Sequence, residues 1–420
     1  MSSAVRTFAH PRAWFIPVFL VLGLAFVLPL IYLSATVDPK GEMRDLPIAV
    51  VVEPQSVEGT IAAAEVVSDA IRDHLGEGFS IAEIAPDELA QEFAEDRIAG
   101  AAIIPANFDE SMTSLSDPAN SAPSTPTVRI LTNAADGGLS GGLVSGSLAP
   151  LITAAGEQIG TKIAATAASL PPANKLLLAH PVHVEVGPYE ALPDRSGLGT
   201  SAFYFGLVLL LVGFIGASVV HPLLDSVLGF IPTEVGPIVQ RRSYIRLSRV
   251  RTLASKFVLM LLLAPLAAII VQAVAATVGV ATPQPLALWA FASATIAAIG
   301  VSALAVFAIF GSGLGSLANM LFFIALAMTS SGGTVPIAAT PPLFRWLSTF
   351  EPFHPIMEGL RALFYFGENS PAGLDNAWIR IVIGGVVGLT LGFLFAAIYD
   401  KIPRFSRHPE PAIERVAVHN

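Results

Sequence analysis

Apolar residues along the chain gather into six long runs, and the gap after the first is much wider than any other. Ala13–Ser34, Thr200–Val220, Leu253–Val280, Pro285–Phe310, Leu314–Ser331 and Trp378–Ile398 meet or approach the about 20 residues a helix needs to cross a bilayer core of about 30 Å. The spacing predicts an α-helical polytopic membrane protein with six transmembrane helices in a 1 + 5 arrangement. Between the first and second spans it inserts an α/β extracytoplasmic domain. In residue ranges, 1–35 form an N-terminal tail and first span, 36–198 the inserted domain, 199–399 a five-helix transmembrane domain and 400–420 a C-terminal tail.

Within the insertion the period of the pattern changes. Pro47–Val52 is a short β-branched run of the kind that forms a buried strand, and Phe79–Ile84, Ala101–Pro105 and Thr127–Leu131 read as further strands. Helical spacing runs over Ile61–Leu75, Pro86–Ile98 and Asn107–Leu115, with Gly76 and Gly100 as stop signals. Ser116–Pro126 is a loop by composition. Strands that alternate with helices predict an α/β fold whose sheet is at least partly parallel. Leu139–Leu170 then gives a long Ala- and Gly-rich helix, expected to pack on its own domain, and Val182–Val186 leads back to the membrane.

Charge orients the layout. The chain has 53% hydrophobic and 13% charged residues, against about a quarter charged in soluble proteins. From Thr36 to Leu198 there are 23 acidic and 8 basic residues; the remainder has 9 acidic and 15 basic. The basic residues flank the spans: Arg6 and Arg12 before the first, Arg241, Arg242, Arg246, Arg249, Arg251 and Lys256 around the loop between the second and third, and Lys401, Arg404 and Arg407 after the last. With six spans all three groups fall on one side, which the positive-inside rule makes cytoplasmic. Both termini are therefore expected inside and the acidic insertion outside. Arg380, at the outer end of the last span, is the exception and reads as a snorkelling side chain. The first run is longer than the apolar region of a typical cleaved signal and contains Pro17 and Pro29, so it reads as an uncleaved anchor. An acidic insertion argues against nucleic acid as a partner. The absence of cysteine removes disulfides and thiolate chemistry, which suits a bacterial envelope.

Motifs for an internal engine are missing. There is no Gly-Lys pair and hence no phosphate-binding G-x-x-x-x-G-K-[ST] loop. His180, His183 and Glu185 read as surface groups of a strand rather than a metal set. The acidic run Asp87, Glu88, Glu92, Glu95 and Asp96 reads as a solvated helix face. No catalytic, cofactor-binding or metal-ligating residue is assigned, and the chain is not read as an enzyme. The last five spans are almost free of ionisable residues, which argues against a proton-driven carrier.

Two connecting segments carry the remaining signal. The loop 221–252 contains Pro222, Pro232, Gly236 and Pro237, which predict a broken, turn-rich path, and its second half is basic. Contact with anionic lipid accounts for the arginines; docking of a cytosolic partner adds a role for Asp225, Glu234, Arg241, Arg242 and Arg246. On the opposite side, segment 330–367 is broken at Gly332, Gly333, Pro336, Pro341 and Pro342, and carries Phe344, Trp346, Phe350 and Phe353, residues suited to the headgroup boundary. A re-entrant or interfacial hairpin is expected there.

These segments resemble the phage-infection-protein (YhgE/Pip) group of ABC-2 type transporter permeases. The resemblance rests on the S-G-G-T-x-P-I run from Ser331 to Ile337, the P-F-x-P turn from Pro352 to Pro355 and the G-L-R of Gly359–Arg361. Ile48–Val52 and the G-A-A-I-I-P-x-N-F run of Gly100–Phe108 are similar to that group's external domain. The family strand often continues into Asn-x-Asp, whereas Val52 is followed here by Glu53-Pro54-Gln55.

The resemblance implies a permease subunit, paired with a second permease as a homodimer or heterodimer and with separate ATPase subunits that use the ATP. Asp225–Arg251 would contain the ATPase-coupling element. The segment 330–367 would form the outer gate, with Gly332, Gly333, Pro336, Arg345, Glu351, Glu358 and Arg361 as its candidate residues. The implied activity is efflux of a lipid, drug-like or other amphipathic compound across a bacterial cell membrane. The alternative is a non-transport envelope scaffold or secretion accessory whose external domain binds a partner.

Overall fold

The computed structural model describes residues 11–56, 62–120, 123–166, 170–366 and 372–405, with side chains described from Val18 in the first helix and not at Val235. Arg6, Ile61, Gly367, Arg407, the side chains of Arg12 and Pro17, and residues 167–169 of the expected long helix lie outside these. In chain order the elements are α1 (Pro11–Ser34), α2 (Pro39–Glu42), β1 (Leu46–Val52), α3 (Ala63–His74), β2 (Phe79–Glu83), α4 (Leu89–Ala94), β3 (Gly100–Ile104), α5 (Phe108–Ser116), β4 (Thr127–Thr132), α6 (Gly138–Thr166), α7 (Pro172–Ala179) and β5 (His183–Pro188). They continue with α8 (Ser201–Val227), β6 (Thr233–Val235), β7 (Ile238–Gln240), α9 (Arg249–Thr277), α10 (Pro285–Asn319), α11 (Pro342–Ser348), α12 (Phe353–Tyr365) and α13 (Leu374–Lys401).

Two compact units divide the chain. The first joins Met1–Tyr204 and Gly279–Pro283 to Leu326–Asp375; the second holds Phe205–Val278, Gln284–Ala325 and Asn376–Asn420. Segment 330–366, read from the sequence with the membrane helices, therefore clusters with the sheet.

The first unit is built on a five-stranded sheet of order β2-β1-β3-β4-β5. β1 pairs parallel with β2 and β3, β3 antiparallel with β4, and β4 parallel with β5. The central strands bury both faces, as parallel strands covered on two sides do. Ile48 and Val50 of β1 join Ala102 and Ile104 of β3 in the main core with α3, α5 and α6. Ala49, Val51, Ala101 and Ile103 form a smaller core with Leu89 and Phe93 of α4 on the other face. The helix expected over Pro86–Ile98 is shorter, because its N-terminal residues form turns and Asp96 takes φ 56°.

α6 is 29 residues long and apolar enough to cross a membrane, yet Val144, Leu148, Ile152, Ala155, Ile159 and Ile163 bury one stripe of it in the sheet core. Gly160 lets α7 lie close against α6: a Cβ there would lie 2.2 Å from the Leu178 carbonyl oxygen. The core is completed by Val335 and Ala339. Backbone bonds add to this contact, with the Arg44 amide donating to the Ala338 carbonyl at 2.8 Å.

The second unit is dominated by long, largely apolar helices, with the β6–β7 hairpin in the connection between α8 and α9. α9 and α13 expose Leu262, Ile270, Ile379, Val382 and Val386 to their surroundings, the property of helices solvated by lipid. α10 continues through a π-turn over Met320–Leu326, which extends the helical run to Thr329. Its path breaks at Gly311, whose φ of 75° and ψ of −179° lie in a region essentially reserved for glycine. Beyond the break the chain folds back antiparallel: Gly315 packs on Phe307, and Asn319 Nδ2 donates to the Ala303 carbonyl at 3.1 Å. Each pair is equidistant from Gly311. The sequence division between Pro285–Phe310 and Leu314–Ser331 falls at this turn.

Candidate functional site

Among the described residues, two clusters of buried or half-buried charge stand out, one in each unit. In the helical unit, α8 continues through Pro222 to Val227, so Asp225 is helical rather than part of a broken loop. The following helix, α9, begins at Arg249, with the Ser248 hydroxyl accepting the Arg251 amide at 3.2 Å. These limits bring Lys256 of α9 beside His221 and Asp225 of α8. Lys256 Nζ donates to Asp225 Oδ1 at 2.7 Å and lies 3.1 Å from His221 Nδ1. His221 Nε2 reaches the Ser312 hydroxyl at 3.0 Å, and its ring stacks on Phe307. All three ionisable side chains are almost wholly removed from the surface. Helical periodicity brings His221 and Asp225, one turn apart and just beyond the expected span, against Lys256 on a neighbouring helix.

The loop between these helices does not gather its expected residues into one site. Glu234 lies exposed in the β6–β7 hairpin, opposite Val239, and Arg241, Arg242 and Arg246 are exposed in the extended chain that follows. The base of the loop is fixed. Ser226 and Thr233 hydroxyls bond to each other, and the Ile245 amide donates to the Leu228 carbonyl at 3.0 Å. At the other end, Asp400 of α13 accepts the Arg249 and Val250 amides at 2.9 and 3.2 Å. A carboxylate at a helix N-terminus satisfies amides that have no partner within the helix. Sequence reading missed Asp400 because its partners are 150 positions away.

In the sheet unit, a second cluster forms where α12 meets the turn before α6. Arg361 Nη2 donates to the Gly332 carbonyl at 2.8 Å and to the Asp136 carbonyl at 3.3 Å, while Nη1 lies 3.4 Å from Asp136 Oδ1. Asp136 shares a side-chain hydrogen bond with Asp96, whose Oδ1 also accepts Asn133 Nδ2 at 2.6 Å. Two carboxyl groups in hydrogen-bond contact need a proton between them. Burial, and then the Asp136 charge, hold Asp96 well above the usual carboxylate range against the pull of Arg361. Burial also raises Asp136, opposed by Arg361 and by the bond to Asp96. Asp96 was expected on a solvated face, but its left-handed turn directs the carboxyl into this cluster.

The remaining outer-segment residues are placed as follows. Gly332 has φ 71°, and Gly333 leaves no room for a Cβ against the Phe203 ring. Pro336 begins a 3-10 turn over Ile337–Ala339. Arg345 donates to the Glu42 carbonyl at 2.8 Å and to the Thr340 carbonyl at 2.5 Å. Glu351 accepts the Phe353 and His354 amides, each at 2.7 Å, at the start of α12. Burial pushes Glu351 up to about 8 despite those two bonds. His354 Nδ1 lies 2.9 Å from the Ser331 carbonyl, which leaves Nε2 3.3 Å from Glu358 Oε1. Of the aromatic residues expected at a headgroup boundary, Trp346 and Phe350 are exposed and pack edge to face, whereas Phe344 and Phe353 are buried.

Sequence reading finds no nucleophile-elbow spacing and in this passes over one match. Gly138-Leu139-Ser140-Gly141-Gly142 fits G-x-S-x-G, the spacing of a nucleophile elbow, and follows a strand. Ser140 Oγ is nevertheless buried and has no hydrogen-bond partner among the described residues, so no base activates it. His180 pairs with Glu157 at 3.0 Å.

Comparison with curated proteins and with solved structures yields no match. Residues 13–398 match the ABC-2 family transporter proteins. Membership implies an ATPase partner in the transporter and a multi-pass membrane protein, in keeping with the long apolar helices. With nearly its whole length covered, the chain belongs to the ABC-2 transporter family as a membrane permease.

Proposed function

We propose that this permease is an exporter subunit of the YhgE/Pip-like group, moving an amphipathic or hydrophobic compound, lipid or drug-like, outward with ATP hydrolysed by a separate subunit. It binds no cofactor itself. In this reading six spans in a 1 + 5 arrangement place both termini and the arginine loop in the bacterial cytoplasm, with the sheet unit outside. Two permeases, identical or different, form the conduit.

The buried Lys256–Asp225–His221 cluster carries the reading. It locks the foot of α8 to the start of α9, so the loop between them leaves from a fixed base. Force applied to exposed Glu234, Arg241, Arg242 and Arg246 is then delivered to two membrane helices rather than absorbed by the loop. The same arginines suit anionic lipid. On the outer side, residues 330–366 connect the apolar run ending at Thr329 to the last helix and share the core of the sheet unit, which supports a gating role for that segment.

Everted membrane vesicles test the proposal. ATP is expected to drive accumulation of fluorescently labelled phosphatidylethanolamine, insensitive to collapse of the proton gradient and lost in an Arg241→Glu/Arg242→Glu variant. Transport that stops on collapsing the gradient with ATP intact indicates a secondary carrier. Absence of any ATP-dependent flux favours the scaffold alternative.

A further inference from the structure

A cleft of about 230 Å³ opens in the sheet unit where α4, the stretch after β5 and the C-terminal end of α12 come together. Its walls are aromatic. Phe93 and Tyr189 stack with ring centroids 4.2 Å apart and planes 6° from parallel, and Tyr365 and Phe366 add two further rings to the lining. Phe93 is rooted in the smaller core, while Tyr189 is 37% exposed, so the stack covers one face of the Tyr189 ring and leaves the other open. Tyr365 is held by its hydroxyl, which accepts the Ala202 amide at 3.1 Å and donates to the Ser196 carbonyl at 3.4 Å. Its ring is thereby placed before any ligand arrives, and its one hydroxyl proton is already used.

Charge in the cleft has one sign. Among the described lining residues Glu190 alone carries a charge, and it is exposed; no lysine or arginine lines the space. The Arg361 charge that reaches Tyr365 lies outside the lining and is met by the Asp96–Asp136 pair. Aromatic faces attract cations through the ring quadrupole, and a cluster of rings is the usual means of holding a quaternary ammonium group. A neutral apolar ligand would gain from the same walls but nothing from Glu190. The volume falls below the roughly 300–1,000 Å³ of sites for drug-sized ligands, which favours a compact group. We infer that this cleft binds a compact organic cation, a methylated ammonium group packed against Tyr189 and Tyr365 with Glu190 as its counter-charge. Binding there rests on residues of the sheet unit alone and requires neither the ATPase nor transport.

Calorimetric titration of the full chain in the uncharged detergent dodecyl maltoside tests the site, with choline as the cation and dimethylbutanol, its tert-butyl isostere, as the neutral control. Choline should bind saturably and about tenfold more tightly than the isostere, because only the cation gains from the ring quadrupoles and Glu190. Tyr189→Leu keeps apolar bulk but removes a ring and should weaken choline about tenfold, whereas Tyr189→Phe should stay within about threefold of the parent. Glu190→Gln should weaken choline about threefold and leave the isostere unchanged. Ala94→Leu narrows the cleft from the exposed side of α4, where a larger side chain does not enter the core, and should abolish binding in a folded protein. Competition by glycerophosphocholine assigns the cation to a lipid head group and its failure to compete assigns a free solute; both keep the ammonium site. Unsaturable binding, or choline binding unchanged in both Tyr189→Leu and Ala94→Leu, overturns the site. Equal affinity for choline and its neutral isostere overturns the cation. ATPase association, measured separately by capture of the partner subunit, is untouched by any of these results.

Discussion

Lys256 Nζ lies 2.7 Å from Asp225 Oδ1, with both side chains buried at the junction of two long apolar helices. Buried pairs contribute little net stability when intact but are costly when one member is removed, because the other charge is left without compensation. Lys256→Met is therefore expected to destabilise the protein by about 3–5 kcal/mol, whereas Lys256→Met combined with Asp225→Leu recovers most of that loss. Thermal inactivation followed by size-exclusion chromatography in detergent distinguishes the two. Equal damage in the single and double variants would show that the pair does not act as a unit.

Gly311 turns the chain between two antiparallel helices at φ 75°. Any side chain there carries strain of about 1–3 kcal/mol. Gly311→Ala should lower the midpoint of thermal unfolding, while Gly313→Ala, where an added Cβ meets nothing within 4 Å, should not. Matching midpoints for the two variants would contradict the turn.

Acid–base behaviour follows from the raised carboxyls. Asp96, Asp136 and Glu351 hold protons in the folded chain at pH values where the unfolded chain has released them. A group bound more tightly to its proton in the folded state loses stabilisation as pH rises. Stability contributed by these groups is thus present below the ordinary carboxylate range and declines upward, for Glu351 until about pH 8. Thermal midpoints should fall between pH 5 and pH 8.5, and Glu351→Gln should flatten the upper part of that decline. A midpoint that rises across the interval contradicts the assignment.

Arg361 joins α12 to the turn before α6 through three acceptors, Gly332 O, Asp136 O and Asp136 Oδ1. Its fork cannot be replaced by a point charge. Arg361→Lys should lower both thermal stability and transport, and Arg361→Gln more so, because the carboxyl pair then loses its counter-charge. Full function in the lysine variant would show that a point charge suffices there.

Much of this architecture was legible because it rests on short-range pattern. β1, β3 and β4 stand within one residue of the runs that announced them, since β-branched and alternating positions report burial directly. The Gly311 division lay between two apolar runs. Long-range partners left no such trace. Nothing local to Asp96 distinguishes it from Glu92 and Glu95; only the chain's return at Asn133 and Asp136 does. Lys256 looked like one more basic residue beside a span, and its role emerges only once Pro222 is seen inside a continuous helix. The 330–366 segment was readable as broken and aromatic, but not as a contributor of Val335 and Ala339 to the sheet core.

Drive from a separate ATPase subunit through the loop held between α8 and α9, as proposed above, can be tested on the assembled transporter. Affinity capture of the full chain from its native membranes, followed by nucleotide hydrolysis by the captured complex, tests it most directly. A co-retained nucleotide-binding subunit with vanadate-sensitive ATP hydrolysis is expected, both lost in a folded Arg241→Glu/Arg242→Glu variant. Intact wild-type chain that retains no ATPase, or retains it equally in that variant, would rule out coupling through this loop.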